Sequence, residues 1–163
     1  MIGLNGNSAM LTRRQATVTI GAAAVLLTFR ANAAGTRPTV TLHKDPTCSC
    51  CTAWGKHIEE AGFPVTVIES QSLKALNAKL GVPEDLAGCH TATVEGYVLE
   101  GHVPASALER LLGERPEAIG LSVPGMPAGS PGMGGDPEIY QVTLFTSSDR
   151  RAFARYKGAE LLD

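Results

Sequence analysis

The sequence predicts one α/β domain with a mixed central sheet flanked by helices, and three observations support this fold class. The 163 residues are 44% apolar, with 14 basic and 16 acidic side chains, which is typical of a single globular domain. Segments with β-branched residues in period two alternate along the chain with segments of helical period. One stretch rich in glycine and proline, residues 124–137, predicts a loop ahead of a final hairpin.

The first strand and the first helix are predicted from adjacent patterns. Residues 39–43 carry β-branched side chains at alternate positions, and the pair Asp45-Pro46 ends this strand. The following run, residues 50–61, has helical period with Trp54 on its apolar face. Thr47 is the candidate N-cap of this helix, because a threonine hydroxyl can accept a hydrogen bond from a free N–H group of the first turn.

The later elements follow from the same reasoning. Glu95-Gly96 predicts a tight hairpin turn, Pro104 opens a third helix and Gly113 ends it. The predicted bounds are 63–68 for a second strand, 73–80 for a short helix, 91–94 and 97–100 for the hairpin, 104–113 for the third helix, and 140–145 with 151–156 for a C-terminal hairpin.

The order strand, helix, strand, helix, hairpin, helix is that of the thioredoxin-like fold, and a cysteine cluster lies at its first strand-to-helix turn. That turn is where the fold keeps its reactive site. The N-terminus of a helix has unpaired N–H groups and a partial positive charge, which favour thiolates. The position of the cluster therefore supports a chemical role for its sulfurs.

The first 33 residues predict an export signal. Arg13 and Arg14 precede an uncharged stretch, and Ala31-Asn32-Ala33 has the pattern of a cleavage site. The apolar part, residues 18–29, is shorter than the roughly 20 residues that span a bilayer, so we expect a removed signal and no stable membrane insertion afterwards. Both a twin-arginine and a general export route fit this segment. Residues 34–163 are then the mature domain, free in an oxidising compartment such as a bacterial periplasm.

The charge of this predicted mature domain excludes one class of partner. Its 11 basic and 16 acidic residues give a net charge of −5, with no cluster of lysine or arginine. Binding that depends on neutralising phosphates needs a basic patch, so a nucleic-acid partner is not expected.

Three of the four cysteines occur within four positions, as Cys48, Cys50 and Cys51. Cys48 and Cys51 have the C-x-x-C spacing that suits a disulfide or a two-thiolate metal clamp. Cys50 is surplus to a dithiol and therefore favours metal binding over redox exchange. Cys89 comes just before the third predicted strand, and in a thioredoxin-like topology the loop entering that strand faces the C-x-x-C turn. We therefore expect four sulfurs to converge. A structural disulfide with spare buried thiols is the alternative.

With these motifs the sequence resembles the CopG-like periplasmic copper-resistance proteins, the family also known as domain of unknown function 411. The resemblance extends from Val40 to Tyr156. Its motifs are the C-x-C-C run with Asp45-Pro46-Thr47 and Trp54, then Gly88-Cys89-His90-Thr91, Glu95-Gly96-Tyr97-Val98, Glu100-Gly101-His102-Val103-Pro104-Ala105, Val123-Pro124-Gly125-Met126-Pro127 and Gly129-Ser130-Pro131-Gly132-Met133. It implies a thioredoxin-like domain that binds several thiolate-bridged copper ions through its cysteines, takes part in copper resistance and changes the oxidation state of the metal.

Donor chemistry agrees with copper, because soft thiolate and thioether ligands select Cu(I). The predicted ligands are Cys48, Cys50, Cys51 and Cys89. Four further candidates are the neighbouring histidines and the loop methionines, namely His90, His102, Met126 and Met133. Each of these four has an ordinary structural alternative, as a hydrogen-bonded loop histidine or as a gap-filling apolar side chain.

Two hypotheses from different classes follow. In the first, the chain is an exported copper-binding protein that sequesters Cu(I) or acts as a copper oxidoreductase, with copper ions and other periplasmic copper-resistance proteins as partners. In the second, it is a thiol-disulfide oxidoreductase with Cys48 as nucleophile and Cys51 as resolving thiol. A four-cysteine iron-sulfur or zinc module is a third reading, which the colour and metal content of the purified protein would test.

Overall fold

The computed structural model describes residues 37–163, and in this part of the chain eight strands and three α-helices form a mixed α/β domain. The strands are β1 Val40–Lys44, β2 Val65–Glu69, β3 His90–Val94, β4 Tyr97–Gly101, β5 Gly120–Val123, β6 Ile139–Phe145, β7 Arg150–Lys157 and β8 Glu160–Leu161. The helices are α1 Ser49–Glu60, α2 Lys74–Leu80 and α3 Ala105–Glu114, with a 3-10 turn at Glu84–Leu86. The predicted α/β class is confirmed. The predicted export signal lies outside the described residues.

All eight strands belong to one sheet, in the order β2-β1-β3-β4-β5-β6-β7-β8. The pairs β1–β2 and β4–β5 are parallel and the others are antiparallel. In the register between β1 and β3, Lys44 pairs with His90. The end of β1 therefore lies beside the start of β3. As a result, the segment that follows Lys44 meets the segment that precedes His90.

The hairpin of β3 and β4 turns at Glu95-Gly96, as predicted. Both residues have positive φ, 50° and 86°. This is the backbone of the two-residue turn that best matches the twist of paired strands, and glycine adopts it without steric cost. The C-terminal hairpin of β6 and β7 also forms as predicted, and the glycine- and proline-rich residues 124–137 form the loop before it.

The N-cap of helix α1 lies one residue later in the sequence than predicted. Its N-cap is Cys48, whose Sγ accepts a hydrogen bond from the Cys51 N–H at 3.3 Å. The prediction of Thr47 as N-cap was wrong because the Thr47 hydroxyl and N–H both donate to the Asp45 carboxylate, at 2.6 and 2.8 Å. Thr47 is therefore part of a turn held by the Asp45 carboxylate, which precedes the helix. The first turn of α1 is thus organised by a cysteine.

The main core lies between one face of the sheet and two helices. Helix α1 contributes Trp54 and Ile58, and α3 contributes Leu108 and Leu111, all of them fully buried against inward-facing strand residues. A smaller apolar cluster on the opposite face is formed by Val82, Leu86, Val98 and Phe145. None of the helices in residues 37–163 is both long and apolar enough to cross a bilayer.

Helix α3 is fixed to α1 at its start. The N–H of Ala105, its first residue, donates to His57 Nε2 at 3.1 Å, which satisfies one of the N–H groups that a helix start leaves free. The predicted end at Gly113 was wrong by one residue. The helix runs to Glu114, and Arg115 takes the left-handed conformation, with φ of 49°.

Strand β5 was not predicted from the sequence. It has only four residues, Gly120–Val123, and it is held from both sides by β4 and β6. A Cβ atom at Gly120 would lie 1.8 Å from the carbonyl oxygen of Val98, so glycine is required for this close pairing. The strand therefore depends on its neighbours in the sheet rather than on its own propensity.

Candidate metal centre

The C-x-C-C run lies at the N-terminus of α1. Cys48 caps the helix, Cys50 and Cys51 are in its first turn, and Cys51 is buried. Cys48 and Cys51 form a disulfide, with their Cα atoms 5.4 Å apart, within the range that a disulfide spans. Cys50 is free, and its Sγ lies 3.5 Å from that of Cys48.

The fourth cysteine joins this cluster from a distant part of the sequence. The Sγ atoms of Cys51 and Cys89 are 3.5 Å apart, although 38 positions separate the two residues in sequence. The four Sγ atoms all lie within 4.8 Å of one another; they belong to Cys48, Cys50, Cys51 and Cys89. The structure thus brings together the four predicted cysteines, and the register of β1 with β3 explains how. Their role as metal ligands stays a prediction.

The thiol of Cys89 resists ionisation. Burial, and next the adjacent Cys50, raise its pKa to about 12. Thiolates are the form of cysteine that binds metals, so a metal ion at Cys89 has to displace a proton.

His102 presents a nitrogen to the same sulfur. Its Nε2 lies 3.3 Å from Cys89 Sγ, while its Nδ1 lies 2.7 Å from the carbonyl oxygen of Pro131. A carbonyl only accepts hydrogen bonds, so Nδ1 carries the proton and Nε2 directs its lone pair at the sulfur. Burial lowers the pKa of His102, which favours this neutral form. An imidazole whose second nitrogen donates to a carbonyl is the usual arrangement of a metal-binding histidine.

His90 is the third donor near Cys89. Its Nδ1 lies 3.4 Å from Cys89 Sγ, and its ring packs 4.4 Å from the Trp54 ring and 5.1 Å from that of His102. Its Nε2 is buried without a hydrogen-bond partner among residues 37–163. Burial, and to a lesser degree His102, lower the pKa of His90 to about 3. The atoms of Cys89, His90 and His102 form a second donor group, which shares Cys89 with the four sulfurs.

This shifted pKa makes stability depend on pH in the metal-free protein. The unfolded chain protonates His90 below pH 6.5 and the folded chain only below about 3. Between these values the unfolded state binds more protons, so His90 makes the free energy of unfolding rise with pH, by up to about 1.4 kcal/mol per unit. We expect His90→Asn to flatten this dependence between pH 4 and 6.5, measured by urea unfolding. An unchanged slope would contradict a neutral buried His90.

The glycine- and proline-rich loop closes over this centre. At Gly132 a Cβ atom would lie 2.6 Å from the Trp54 nitrogen and 2.8 Å from the Cys50 carbonyl oxygen, so the loop backbone packs directly on α1. Pro131 in the same loop accepts the hydrogen bond from His102. Met133 follows this contact and is half-buried, whereas Met126 is 48% exposed. Met133 is therefore two residues from the Pro131 carbonyl that contacts His102, whereas Met126 is open to solvent.

One buried residue next to the centre was not singled out from the sequence. Glu100 is fully buried in β4, and its Oε2 accepts a hydrogen bond from the Gly88 N–H at 2.9 Å. Burial raises the pKa of its carboxyl group to about 7. The sequence signal that could have identified Glu100 is a single carboxylate in a strand whose other residues are not charged. In the structure all five residues of β4 are buried.

Comparison with known proteins identifies two similar solved structures, described as copper resistance protein copG in Form 1 and Form 2. Each is 41% identical to this chain, and each alignment covers 74% of this chain and 98% of the other, with TM-scores of 0.69 and 0.70. The family described as "Protein of unknown function, DUF411" matches residues 86–133, which include Cys89, His90 and His102. No curated protein sequence matches the chain significantly.

Proposed function

The chain belongs to the DUF411 family of CopG-like copper-resistance proteins, and from this premise we propose that it binds Cu(I) through Cys48, Cys50, Cys51 and Cys89. The observation that carries the proposal is the convergence of these four sulfurs within 4.8 Å of one another. Clustered thiolates are soft donors, which favour Cu(I) over harder cations. Copper is the cargo in this proposal, and copper resistance is the process that it serves.

The arrangement of donors supports more than one copper ion per chain. Cys89 belongs both to the group of four sulfurs and to the group that it forms with His90 and His102. A thiolate that bridges two ions would serve both groups at once. The imidazole nitrogens of His90 and His102 would then complete the coordination of an ion that has too few sulfur ligands. Met133 and Met126 are proposed as additional thioether donors or entry residues on the loop.

The disulfide makes copper loading depend on reduction. An external dithiol supplies two electrons and two protons to the Cys48–Cys51 bond, which gives two thiols while the dithiol itself becomes a disulfide, and only then are four thiolates available. The reverse direction handles copper itself: two Cu(II) ions accept two electrons from the two thiolates, which yields two Cu(I) ions and the disulfide. We propose this exchange as the redox step of a copper oxidoreductase, because the same two sulfurs also belong to the copper-binding group.

The wider setting of this function is also proposed from the sequence and the family. The first four strands lie in the order β2-β1-β3-β4, with β1 parallel to β2 and antiparallel to β3, which supports a thioredoxin-like core. The predicted signal in the first 33 residues, with cleavage near Ala33, supports export to the periplasm. Other copper-resistance proteins of that compartment are the proposed donors or acceptors of copper.

Anaerobic titration with Cu(I) tests the proposal. We expect the fully reduced protein to bind more than one copper ion per chain, with loss of all four titratable thiols. The same preparation with its Cys48–Cys51 disulfide intact is the control. It retains only Cys50 and Cys89 as thiols, so we expect it to bind fewer ions. Reduced protein that retains no copper, or equal binding by both forms, would contradict a four-thiolate site.

A second candidate function is thiol-disulfide exchange, which the Cys48–Cys51 disulfide specifically favours. Cys48 would attack a substrate disulfide and Cys51 would resolve the mixed disulfide. The variants Cys50→Ser and Cys89→Ser separate the two functions. Both variants should bind fewer copper ions under the first proposal. Both should keep most of the exchange activity under the second, because neither residue belongs to the C-x-x-C pair.

A further inference from the structure

Three buried polar side chains form a row across the sheet, on the face opposite to α1. Thr91 of β3 pairs with Glu100 of β4, and Glu100 pairs with Ser122 of β5, so the three lie side by side in register. All three are fully buried. We call Thr91, Glu100 and Ser122 the polar row. A row of this kind in the middle of a sheet requires an explanation, because a buried polar group is costly unless it makes hydrogen bonds.

Each member of the polar row holds a different point of the segment that leads to Cys89. The Thr91 hydroxyl donates to the Asn77 side-chain oxygen in α2 at 2.6 Å. The Ser122 hydroxyl donates to the Leu86 carbonyl oxygen at 2.7 Å. Glu100 accepts from the Gly88 N–H at 2.9 Å, one residue before the cysteine. The contact made by Glu100 holds Gly88, the residue directly before Cys89.

The backbone around Gly88 is packed too closely for independent adjustment. A Cβ atom at Gly88 would lie 2.5 Å from the Gly101 nitrogen and 2.6 Å from its Cα atom. Gly101 in turn has a φ of 65°, and a Cβ atom there would lie 2.6 Å from the Val123 carbonyl oxygen. Gly101 also links Glu100 to His102. Movement of the Glu100 carboxylate would therefore shift both the loop of Cys89 and the backbone that leads to His102.

We propose that Glu100 is a positioning residue, which fixes Cys89 at the distance from the C-x-C-C sulfurs and from His102 that copper binding requires. The inference rests on the proposed copper function. A carboxylate is an expensive choice for a buried position, and here only one of its oxygens has a partner, since Oε1 makes no hydrogen bond within the described part of the chain. The length of the Glu100 side chain matters in this role, because its carboxylate has to extend from β4 far enough to accept the hydrogen bond from the Gly88 N–H.

Two variants of Glu100 separate the effect of side-chain length from the effect of the ionisable carboxyl group. Glu100→Gln keeps the length of the side chain and a carbonyl oxygen that accepts from Gly88, but it removes the ionisable carboxyl group. Glu100→Asp keeps a carboxyl group and shortens the side chain by one methylene. If Glu100 acts by position, Glu100→Gln should bind Cu(I) nearly as tightly as the unchanged protein. Glu100→Asp should lose about 10- to 100-fold in affinity, which is the usual effect of disturbing the support of a metal ligand.

Ser122→Ala is the matched structural control. It removes a buried hydrogen bond of the same polar row, but one that holds Leu86 rather than Gly88. We expect it to lower the urea concentration at the midpoint of unfolding, while Cu(I) affinity stays within about threefold. Equal loss of affinity in Ser122→Ala and Glu100→Asp would overturn the proposal, because a general loosening of the sheet would then explain both.

A second measurement does not depend on copper binding. In the reduced, metal-free protein, the alkylation rate of each cysteine by iodoacetamide is followed by mass spectrometry. Displacement of the loop should expose Cys89, so Glu100→Asp should speed its alkylation about tenfold, whereas Glu100→Gln and Ser122→Ala should stay within about twofold. Unchanged alkylation in Glu100→Asp would overturn the positioning role. Normal positioning in a protein that binds no Cu(I) would instead overturn the copper function alone.

Discussion

Replacing Cys89 by serine is expected to reduce copper binding from several ions per chain to at most one. Cys89 is the residue that the two donor groups share, so its loss removes a ligand from both. A serine hydroxyl is a hard donor that stays protonated at neutral pH, and it does not replace a thiolate for Cu(I). Anaerobic Cu(I) titration of the reduced variant, in competition with a chromophoric chelator, measures the number of ions and their affinity.

Ser49→Ala is the control for Cys89→Ser. Ser49 lies in the same stretch of sequence as the cysteines and begins α1, but it belongs to neither donor group. We expect Ser49→Ala to bind as many copper ions as the unchanged protein. Retention of the full number of copper ions by Cys89→Ser would show that the three sulfurs of the C-x-C-C run are sufficient, and the proposed shared ligand would be wrong.

The largest loss of stability is expected from Trp54→Ala, which should lower the free energy of unfolding by about 3–5 kcal/mol. The Trp54 side chain is fully buried between α1 and the sheet, and its indole N–H donates to the Val103 carbonyl oxygen at 2.8 Å. Its ring also packs on His90. Removing the ring leaves a cavity and an unpaired carbonyl beside His102. Urea unfolding of the metal-free protein at pH 7 measures the effect.

Two further substitutions calibrate this value. Trp54→Phe keeps most of the buried ring but loses the hydrogen bond to Val103, so it should cost less than Trp54→Ala, about 1–3 kcal/mol. Ile139→Ala also removes an apolar side chain, but Ile139 is 64% exposed, so its effect should stay within about 0.5 kcal/mol. A loss below about 1 kcal/mol for Trp54→Ala would mean that α1 is not held by this residue.

Local patterns account for the parts of the fold that were predicted correctly. The turn at Glu95-Gly96 and the apolar face of α1 are both determined by residues that are close in sequence. A hairpin turn depends on two adjacent residues, and the apolar face of a helix depends on residues three or four positions apart. The convergence of Cys89 with the C-x-C-C run was also predicted, from the order of elements. That order fixes which loops meet at one end of the sheet.

Features that depend on distant partners were not predicted. Strand β5 is short and gains its conformation from β4 and β6, and Gly120 in its first position gives no strand signal. Thr47 does not cap α1, because the Asp45 carboxylate accepts hydrogen bonds from both its N–H and its hydroxyl group. Glu100 was not distinguished as a site residue because its partner Gly88 is twelve positions away, and only the folded sheet brings the two together.

The donor atoms of the candidate centre come from three separate stretches of chain, around Cys48, Cys89 and His102. An extended polypeptide would hold these stretches tens of ångströms apart, so it could not offer an ion the donors of all three stretches at once. Copper captured by the complete set must therefore favour the native conformation over the unfolded one, in proportion to its concentration and affinity. Under the proposed function, copper binding and folding are therefore thermodynamically linked, and we expect the copper-free protein to be less stable than the copper-loaded one.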